Sequence, residues 1–356
     1  MAAVPQLANE VTPESAWTAL WRRLQQDRAG AISLGIVVAY LGMILFAAAG
    51  FLARNWSHEV GVPYASPTFL GERPNLDAAV EMRGLRNSKG APPDLSDIDP
   101  LAPKYEEWAR RTQALRTTEP VRASTLPWGG DRWGHDVLAK AVKGSQVSIT
   151  VGVAAALCAT LIGTLLGAFA GFYGRWANDF LEWLYNVFTS IPSILLIFSL
   201  AAVMRSGPFA SLFASGIWTV VIILAVTGWT GMYRLVRAEY MKHRSREYVL
   251  AAQAIGASAT SRMFVHILPN VSHVILVQLS LLVVAFIKVE VILSFLGLGV
   301  PVDMVSWGTM LSEAQTELVI GKWWQLAAAS VFMAIFLTAF SMLTDSLRDA
   351  LDPKLR

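Results

Sequence analysis

Cysteine and charge are both scarce in this sequence. Cys158 is the one cysteine, which excludes an internal disulfide and, within an apolar run, favours a small packing residue. Charged residues make up 15% of the 356 residues, and the formal net charge of +3 gives no sign of nucleic-acid binding. The sequence has no Gly-x-x-x-x-Gly-Lys-Ser/Thr phosphate loop, so we do not expect it to bind or hydrolyse ATP.

Long charge-free segments dominate the chain, whose mean hydropathy is +0.46. Six such segments lie between charged residues: Arg28 to Arg54, Lys143 to Arg175, Glu182 to Arg205, Arg205 to Arg234, Arg262 to Lys288, and Lys322 to Asp345. Each holds at least the roughly 20 residues with which a helix crosses about 30 Å of hydrocarbon. Because these runs are continuously apolar rather than alternating, they predict an all-α polytopic membrane protein with six transmembrane helices.

Basic residues cluster on one side of the predicted spans. Three precede the first span, and six more follow the fourth: Arg234, Arg237, Lys242, Arg244, Arg246 and Arg262. The loop before the last span instead carries Asp303, Glu313 and Glu317 against Lys322. Because short basic loops stay in the cytoplasm, both termini and the basic loop are predicted to be cytoplasmic.

The predicted spans divide the chain into five parts. These are a cytoplasmic N-terminus (1–28), a first transmembrane helix (29–53), an outer-side insertion (54–143), a core of five transmembrane helices (144–347) containing a cytoplasmic loop (234–270), and a cytoplasmic tail (348–356). The N-terminus lacks the pattern of a cleavable signal. Its Trp17, Leu20, Trp21 and Leu24 share one helix face, which predicts a helix lying in the membrane interface.

The insertion is rich in proline and poor in apolar residues. Nine of the sixteen prolines lie in it, and its charges nearly balance. Residues Leu101 to Thr117 predict one helix, while the rest is expected to be extended or irregular. Three roles remain open: a docking platform for another protein, a partial lid over a pore, or a solvated insertion packed on a neighbouring subunit.

The insertion ends in a glycine-rich stretch, Pro127 to Leu138. Gly129 and Gly134 with the interleaved Asp131 and Asp136 predict a structured turn at the outer face. His135 lies beside these carboxylates, but three such residues in one loop are more typical of turn chemistry than of a metal site. We therefore predict no metal centre.

The basic loop contains a short helix signature. Ser245 is a candidate cap, Glu247 suits a positive first turn, and Gly256 is suited to end the helix in the left-handed conformation. Ala252 and Gly256 lie four residues apart on one face, and a flat strip begins at Ala251. Small residues at this spacing allow another chain to approach closely, although an ordinary amphipathic juxtamembrane helix would show the same pattern.

Several positions inside the spans are unusual. Gly163, Gly167 and Gly171 form a four-residue ladder that predicts a helix contact, within the chain or with a second subunit. Pro192 interrupts the third span, as a hinge or a static kink.

Lys288 and Glu290 are formal charges well inside an apolar run. Buried charges in a bilayer are costly unless they face a cavity or a partner. We place both, together with Pro192, at a translocation path or subunit seam; the alternative is a pair near the outer boundary whose heads reach water.

The basic loop resembles the cytoplasmic EAA loop of ATP-binding-cassette import permeases. The match comprises Ala251, Ala252, Gly256, Leu268 and Pro269, with departures at Leu250, where the family has an acid, and at His266. Three further strings are similar to the dipeptide and oligopeptide branch: Trp128 to Leu138, Glu290 with Leu293 to Gly299, and Ser306 to Ser312, and the tail at Leu347 to Pro353 agrees. The chain is therefore identified as similar to the C-type permease subunit of that branch.

This resemblance implies a function and a set of partners. It implies an ATP-driven importer of peptides in the bacterial cytoplasmic (inner) membrane, with a second permease, two ATPases that bind ATP and Mg²⁺, and an outer-side solute-binding protein. Coupling to the ATPases is then assigned to Glu247, Ala251, Ala252, Gly256, Leu268 and Pro269. Alternatives are import of nickel or another small solute by the same kind of complex, a stand-alone secondary transporter, and a membrane scaffold.

Overall fold

The computed structural model describes residues 27–71, 100–101, 104–114, 122–206, 216–301 and 303–351. The interfacial helix predicted within residues 1–28 falls on positions before Asp27 and so lies outside the described residues. The chain forms two compact units: Met1–Trp56 with Ala139–Arg356, and Ser57–Leu138.

The large unit is helical in its described residues. In chain order its helices are α1 (Arg28–Ala48), α3 (Val137–Tyr173, which starts in the small unit), α4 (Arg175–Thr189), α5 (Ser193–Ser206), α6 (Ile217–His243), α7 (Glu247–Ala254), α8 (Leu268–Phe295), α9 (Trp307–Val319) and α10 (Trp324–Leu351). A π-helical turn (Arg262–Ile267) precedes α8 directly. Helix α2 (Tyr105–Ala114) belongs to the small unit.

Five of these helical stretches are long and apolar enough to cross a membrane: α1, α3, α6, α8 with its preceding turn, and α10. Helices α4 and α5 pass the same test only together, and they are bent by 86° where they join. Length and composition thus give five candidate spans, or six with the bent pair. The chain is a multi-pass membrane protein.

Two pairs of helices run antiparallel to each other. Helix α1 is antiparallel to α10, because Ser346 donates a hydrogen bond to Asp27 at 2.5 Å and Tyr40 donates one to the carbonyl oxygen of Phe332 at 2.9 Å. Helix α4 runs antiparallel to α6, since Glu182 pairs with Arg237 whereas the later α4 residues pack toward the start of α6. One end of the bundle therefore carries the basic loop, and the other carries α9; we call them the loop end and the insertion end.

The glycine ladder of α3 packs against α6. A Cβ atom at Gly163 would lie 2.7 Å from the Cβ of Met232, and one at Gly171 would lie 2.6 Å from the carbonyl oxygen of Arg237. Gly167 meets the same helix. Of the two partners that the sequence left open, the ladder contacts a helix of its own chain, where van der Waals packing is the main source of helix association in lipid.

The core of the large unit lies among α3, α6 and α8. Val151, Leu224 and Ile287 are buried there, and the backbone of α3 approaches Ile287 closely at Gly152. Helices α9 and α10 complete this cluster with Trp307 and Phe336. Helices can approach each other this closely only where the residues at their crossing points are small, so the glycines determine which helices pair.

The small unit contains a two-stranded sheet, where the sequence predicted extended or irregular chain outside one helix, so the predicted all-α class describes the spans and not this unit. Strand β1 (Gly61–Pro67) pairs in parallel with β2 (Ala123–Leu126). Parallel strands need a long crossover, and the 55 residues numbered 68–122 supply it. The residues of β1 do not alternate between apolar and polar types. The strand contains Pro63, and its pairing with β2 has an irregular register. Its sequence therefore resembles that of a loop.

Helix boundaries differ from those expected from charge alone. Helix α1 ends at Ala48 rather than at residue 53, and α3 begins at Val137, within the range predicted for the insertion. The Asp136 side chain accepts a hydrogen bond from the backbone of Leu138 and so caps the first turn of α3. Lys140 is a charged residue inside α3, where its ammonium group donates a hydrogen bond to the Glu313 carboxylate at 2.6 Å. The charge-free segments of the sequence could not show this pairing.

Candidate functional site

The candidate site is the basic loop between α6 and α8, where α7 forms as predicted. Its first residue is Glu247, in the first turn where a negative charge is favourable. Ser245 is not the cap: its hydroxyl donates to the carbonyl oxygen of Lys242 at 3.3 Å, and the extended Arg246 occupies the cap position without a side-chain hydrogen bond. The sequence placed the cap one residue early because serine is the stronger capping type.

Gly256 ends α7 in the left-handed conformation, with φ = +88°. Its N–H donates to the carbonyl oxygen of Gln253 at 3.0 Å, and the N–H of Ala257 donates to that of Ala252 at 2.9 Å. This pair of bonds is the Schellman termination for which glycine is favoured. A Cβ atom at Gly256 would meet nothing within 4 Å, so backbone strain rather than space explains the glycine.

One face of α7 is buried against the chain itself. Val249 lies in a cluster with Tyr240, Met263 and Ile267, and Ala252, three residues later on α7, is only 4% exposed. Ala252 was predicted to lie on the partner-facing strip; instead it is buried within its own chain. This corrects the prediction. The four-residue spacing of Ala252 and Gly256 did not reveal which face is buried, because Gly256 lies beyond the helix end.

The opposite face of α7 is exposed and apolar. It consists of Leu250, Ala251, Ala254 and Ile255 and ends at Gly256; we call these five residues the coupling surface. Ile255 is 86% exposed, which is unusual for a large aliphatic side chain. An apolar surface projecting from a polar loop is typical of a contact with another protein.

Three further contacts hold the loop in place. The Tyr240 hydroxyl donates to the carbonyl oxygen of Met263 at 3.1 Å, tying α6 to the turn before α8, and Arg262 bonds the side chain of Gln253. Tyr248 lies 2.7 Å from Nδ1 of His243, and burial raises the pKa of the Tyr248 hydroxyl, which therefore stays neutral at physiological pH. The loop is thus braced on both neighbouring helices.

Leu268 and Pro269, which matched the family spacing, begin α8. Proline lacks an N–H, and its ring clashes with the carbonyl group four residues earlier; the wider π turn that precedes it accommodates both effects. Nδ1 of His266 lies 3.1 Å from the carbonyl oxygen of Ser261, so Nδ1 must carry the proton. Leu268 packs on the buried cluster, whereas Pro269 is exposed.

Pro192 lies at the break between α4 and α5. It is exposed, and its carbonyl oxygen accepts hydrogen bonds from Leu195 and Leu196 in the first turn of α5. The residue therefore separates two helices rather than kinking one.

Lys288 and Glu290 occupy opposite environments on α8. Lys288 is exposed, but Glu290 is completely buried within the single chain, which argues against its predicted place on a path or subunit seam. The Ser294 hydroxyl donates to Oε1 of Glu290 at 2.6 Å and accepts from the backbone of Val300 at 3.2 Å. Glu290 thus holds the turn after α8, a role that a charge in an apolar run does not reveal.

Comparison with known proteins identifies the family. The family described as binding-protein-dependent transport system inner membrane component matches residues 163–356, which include the whole basic loop. The chain belongs to this permease family.

Curated relatives agree. The permease is 35% identical over 256 residues to the oligopeptide transport system permease protein OppC of Bacillus subtilis (strain 168), covering 72% of this chain and 81% of the relative. It is 38% identical over 244 residues to the dipeptide transport system permease protein DppC of the same organism, covering 67% and 73%. OppC of Escherichia coli (strain K12) is 35% identical over 256 residues, covering 71% and 82%. The permease is therefore one of the dipeptide/oligopeptide branch of ATP-binding-cassette importers, as the sequence strings predicted.

The permease also forms the predicted turn before α3. Gly129 and Gly134 have φ values of +84° and +81°, in the region that favours glycine. The Asp131 carboxylate is buried and accepts hydrogen bonds from the backbone of Trp133 at 2.8 Å and of His135 at 2.9 Å. Asp136 caps α3, so both aspartates organise backbone, as expected of turn chemistry.

The sequence did not single out Ile255 or Val249. Val249 and Ala252 are spaced to share one face of a helix. In a short segment of small residues, however, the sequence does not show whether such a face is buried in the chain or contacts a partner. No sequence signal marked Ile255, because an isoleucine directly before a helix-ending glycine is buried or exposed according to how the helix packs.

Proposed function

We propose that this permease is a membrane-spanning subunit of an ATP-driven importer that moves di- and oligopeptides across the bacterial cytoplasmic membrane. In this proposal a second permease, two ATPases carrying ATP and Mg²⁺, and an outer-side binding protein complete the complex. The branch to which the chain belongs supports the complex, and the names of its relatives support peptides as substrates.

The proposed topology has six spans with α4 and α5 as one broken span. Helix α4 of the bent pair runs antiparallel to α6, so the pair would supply the crossing needed between α3 and α6, which run in the same direction. The loop end then faces the cytoplasm, in keeping with its basic residues, and both termini lie on that side.

The exposed apolar coupling surface carries the proposal that this chain couples to ATPases. Its residues fit a groove on the ATPase, with Glu247, Gly256, Leu268 and Pro269 shaping the loop around it. Because Val249 packs α7 against α6 and the turn before α8, a movement of α7 would be transmitted to two membrane helices. ATP-driven closure of the ATPases would then shift the population from inward-open to outward-open packings.

The test is purification of the tagged chain from its native membranes in mild detergent, followed by reconstitution with what accompanies it. We expect two phosphate-loop ATPases and a second permease, and ATP-dependent accumulation of radiolabelled peptides in liposomes when the binding protein is added. Uptake of Ni²⁺ but not of peptides would assign the complex to the small-solute alternative. A chain that purifies and transports alone would refute the importer and favour a secondary transporter.

A further inference from the structure

A cavity of about 330 Å³ lies at the insertion end of the large unit. Its walls come from the first turns of α3, the start of α6, Trp56, and the loop before α9 that contains Asp303. This volume is at the lower end of the range of about 300–1,000 Å³ that is typical of small-molecule sites.

The α3 wall is polar. Lys143, Gln146 and Thr150 follow one another at intervals of three and four residues, so they share one face of α3, and all three line the cavity. Nζ of Lys143 donates to Oε1 of Gln146 at 2.8 Å, which uses one of its three donors. A polar stripe on a membrane helix is costly against lipid, and it is accounted for if the stripe faces a polar ligand and water.

The loop before α9 supplies a negative charge. Asp303 is exposed and lines the same cavity as Lys143, yet among the described residues no ion pair joins their side chains. Two opposite charges that line one cavity without pairing with each other match a ligand that carries both charges at separate positions. Trp56 adds a flat apolar surface that suits a neighbouring side chain or the ligand's cation.

We propose that this cavity binds the free ends of a short zwitterionic peptide. Lys143 and Gln146 bind the terminal carboxylate, Asp303 binds the terminal ammonium group, and Trp56 packs on the peptide between them. The inference deepens the proposed function and rests on it: the cavity is a station for substrate at the outer end of the bundle, separate from the coupling surface at the loop end.

The test uses the whole complex in liposomes and exploits the single cysteine. Cys158→Ser gives a background without cysteine in this chain, and Thr150→Cys places a thiol in the cavity. We expect a charged, membrane-impermeant thiol reagent to modify Thr150→Cys and dialanine to slow that modification. N-acetyl-dialanine and dialanine amide should protect at least about tenfold less well, because a hydrogen bond to a charged group contributes about 1.5–3 kcal/mol. A Gln315→Cys thiol, outside the cavity, should show no protection.

Two substitutions assign the charges. Lys143→Gln should raise the half-protecting concentration of dialanine about tenfold and abolish the preference for dialanine over its amide. Asp303→Asn should do the same for the preference over the N-acetyl form. Lys104→Gln, an exposed charge outside the cavity, is the matched control and should behave like the parent.

The outcomes separate this proposal from the proposed function. ATP-dependent peptide uptake is measured on the same liposomes. Normal uptake with no modification of Thr150→Cys, no protection, or protection unaffected by both substitutions would overturn the cavity as a peptide site while the importer stands. Absence of ATP-dependent peptide uptake in the parent would instead contradict the proposed function itself.

Discussion

Truncation of Ile255 to alanine gives the sharpest test of the coupling surface. Its side chain is 86% exposed, so Ile255→Ala removes almost nothing from the packing of the chain alone, and we expect the free energy of unfolding to change by less than about 0.5 kcal/mol. If an ATPase covers the residue, the same change removes three buried carbon atoms. At about 0.8 kcal/mol for each, the loss is about 2 kcal/mol, or about 30-fold in affinity.

The assay is the dissociation constant of labelled ATPase for the purified permease pair in detergent micelles, with thermal unfolding of each variant measured in parallel. Val319→Ala is the matched control because Val319 is 87% exposed, is aliphatic, and ends α9 at the insertion end. We expect it to leave the affinity unchanged. An Ile255→Ala variant that binds like the parent, or a Val319→Ala variant that weakens binding equally, would refute the assignment of the coupling surface.

Three further predictions concern the packing that supports the site. Ala252→Leu should lower the free energy of unfolding by about 1–3 kcal/mol through overpacking, whereas Ala251→Leu should not. Thermal unfolding of the detergent-purified proteins measures this, and equal melting temperatures of the two variants would contradict the buried face of α7. Gly171→Val should force α3 from α6 and sharply reduce the yield of folded protein, whereas Gly35→Ala, with open space around it, should give the parental yield. Glu290→Ala should cost about 1–3 kcal/mol of stability by leaving the Ser294 hydroxyl without its acceptor, and a parental melting temperature would show that this bond contributes nothing.

The sequence by itself determined the membrane class and the location of the short helix in the basic loop. Continuous apolar runs specify spanning helices because lipid offers backbone groups no other hydrogen-bond partners. Glycine at position 256 specified a helix end because left-handed backbone disfavours a side chain, and the structure has that conformation. These are local constraints, so they can be read from neighbouring residues.

Only the tertiary structure decided which side of each element faces inward. Ala252 and Ala251 have the same chemistry, yet Ala252 is buried and Ala251 is exposed. The orientation of α7 decides this, because Val249 packs against residues of α6 and of the turn before α8. Glu290 lies two residues from Lys288 but is enclosed by its own chain, and Lys140 lies within α3 because Glu313, far along the sequence, approaches it. Pairing over such separations is set by the packing of whole helices, and no local pattern encodes it.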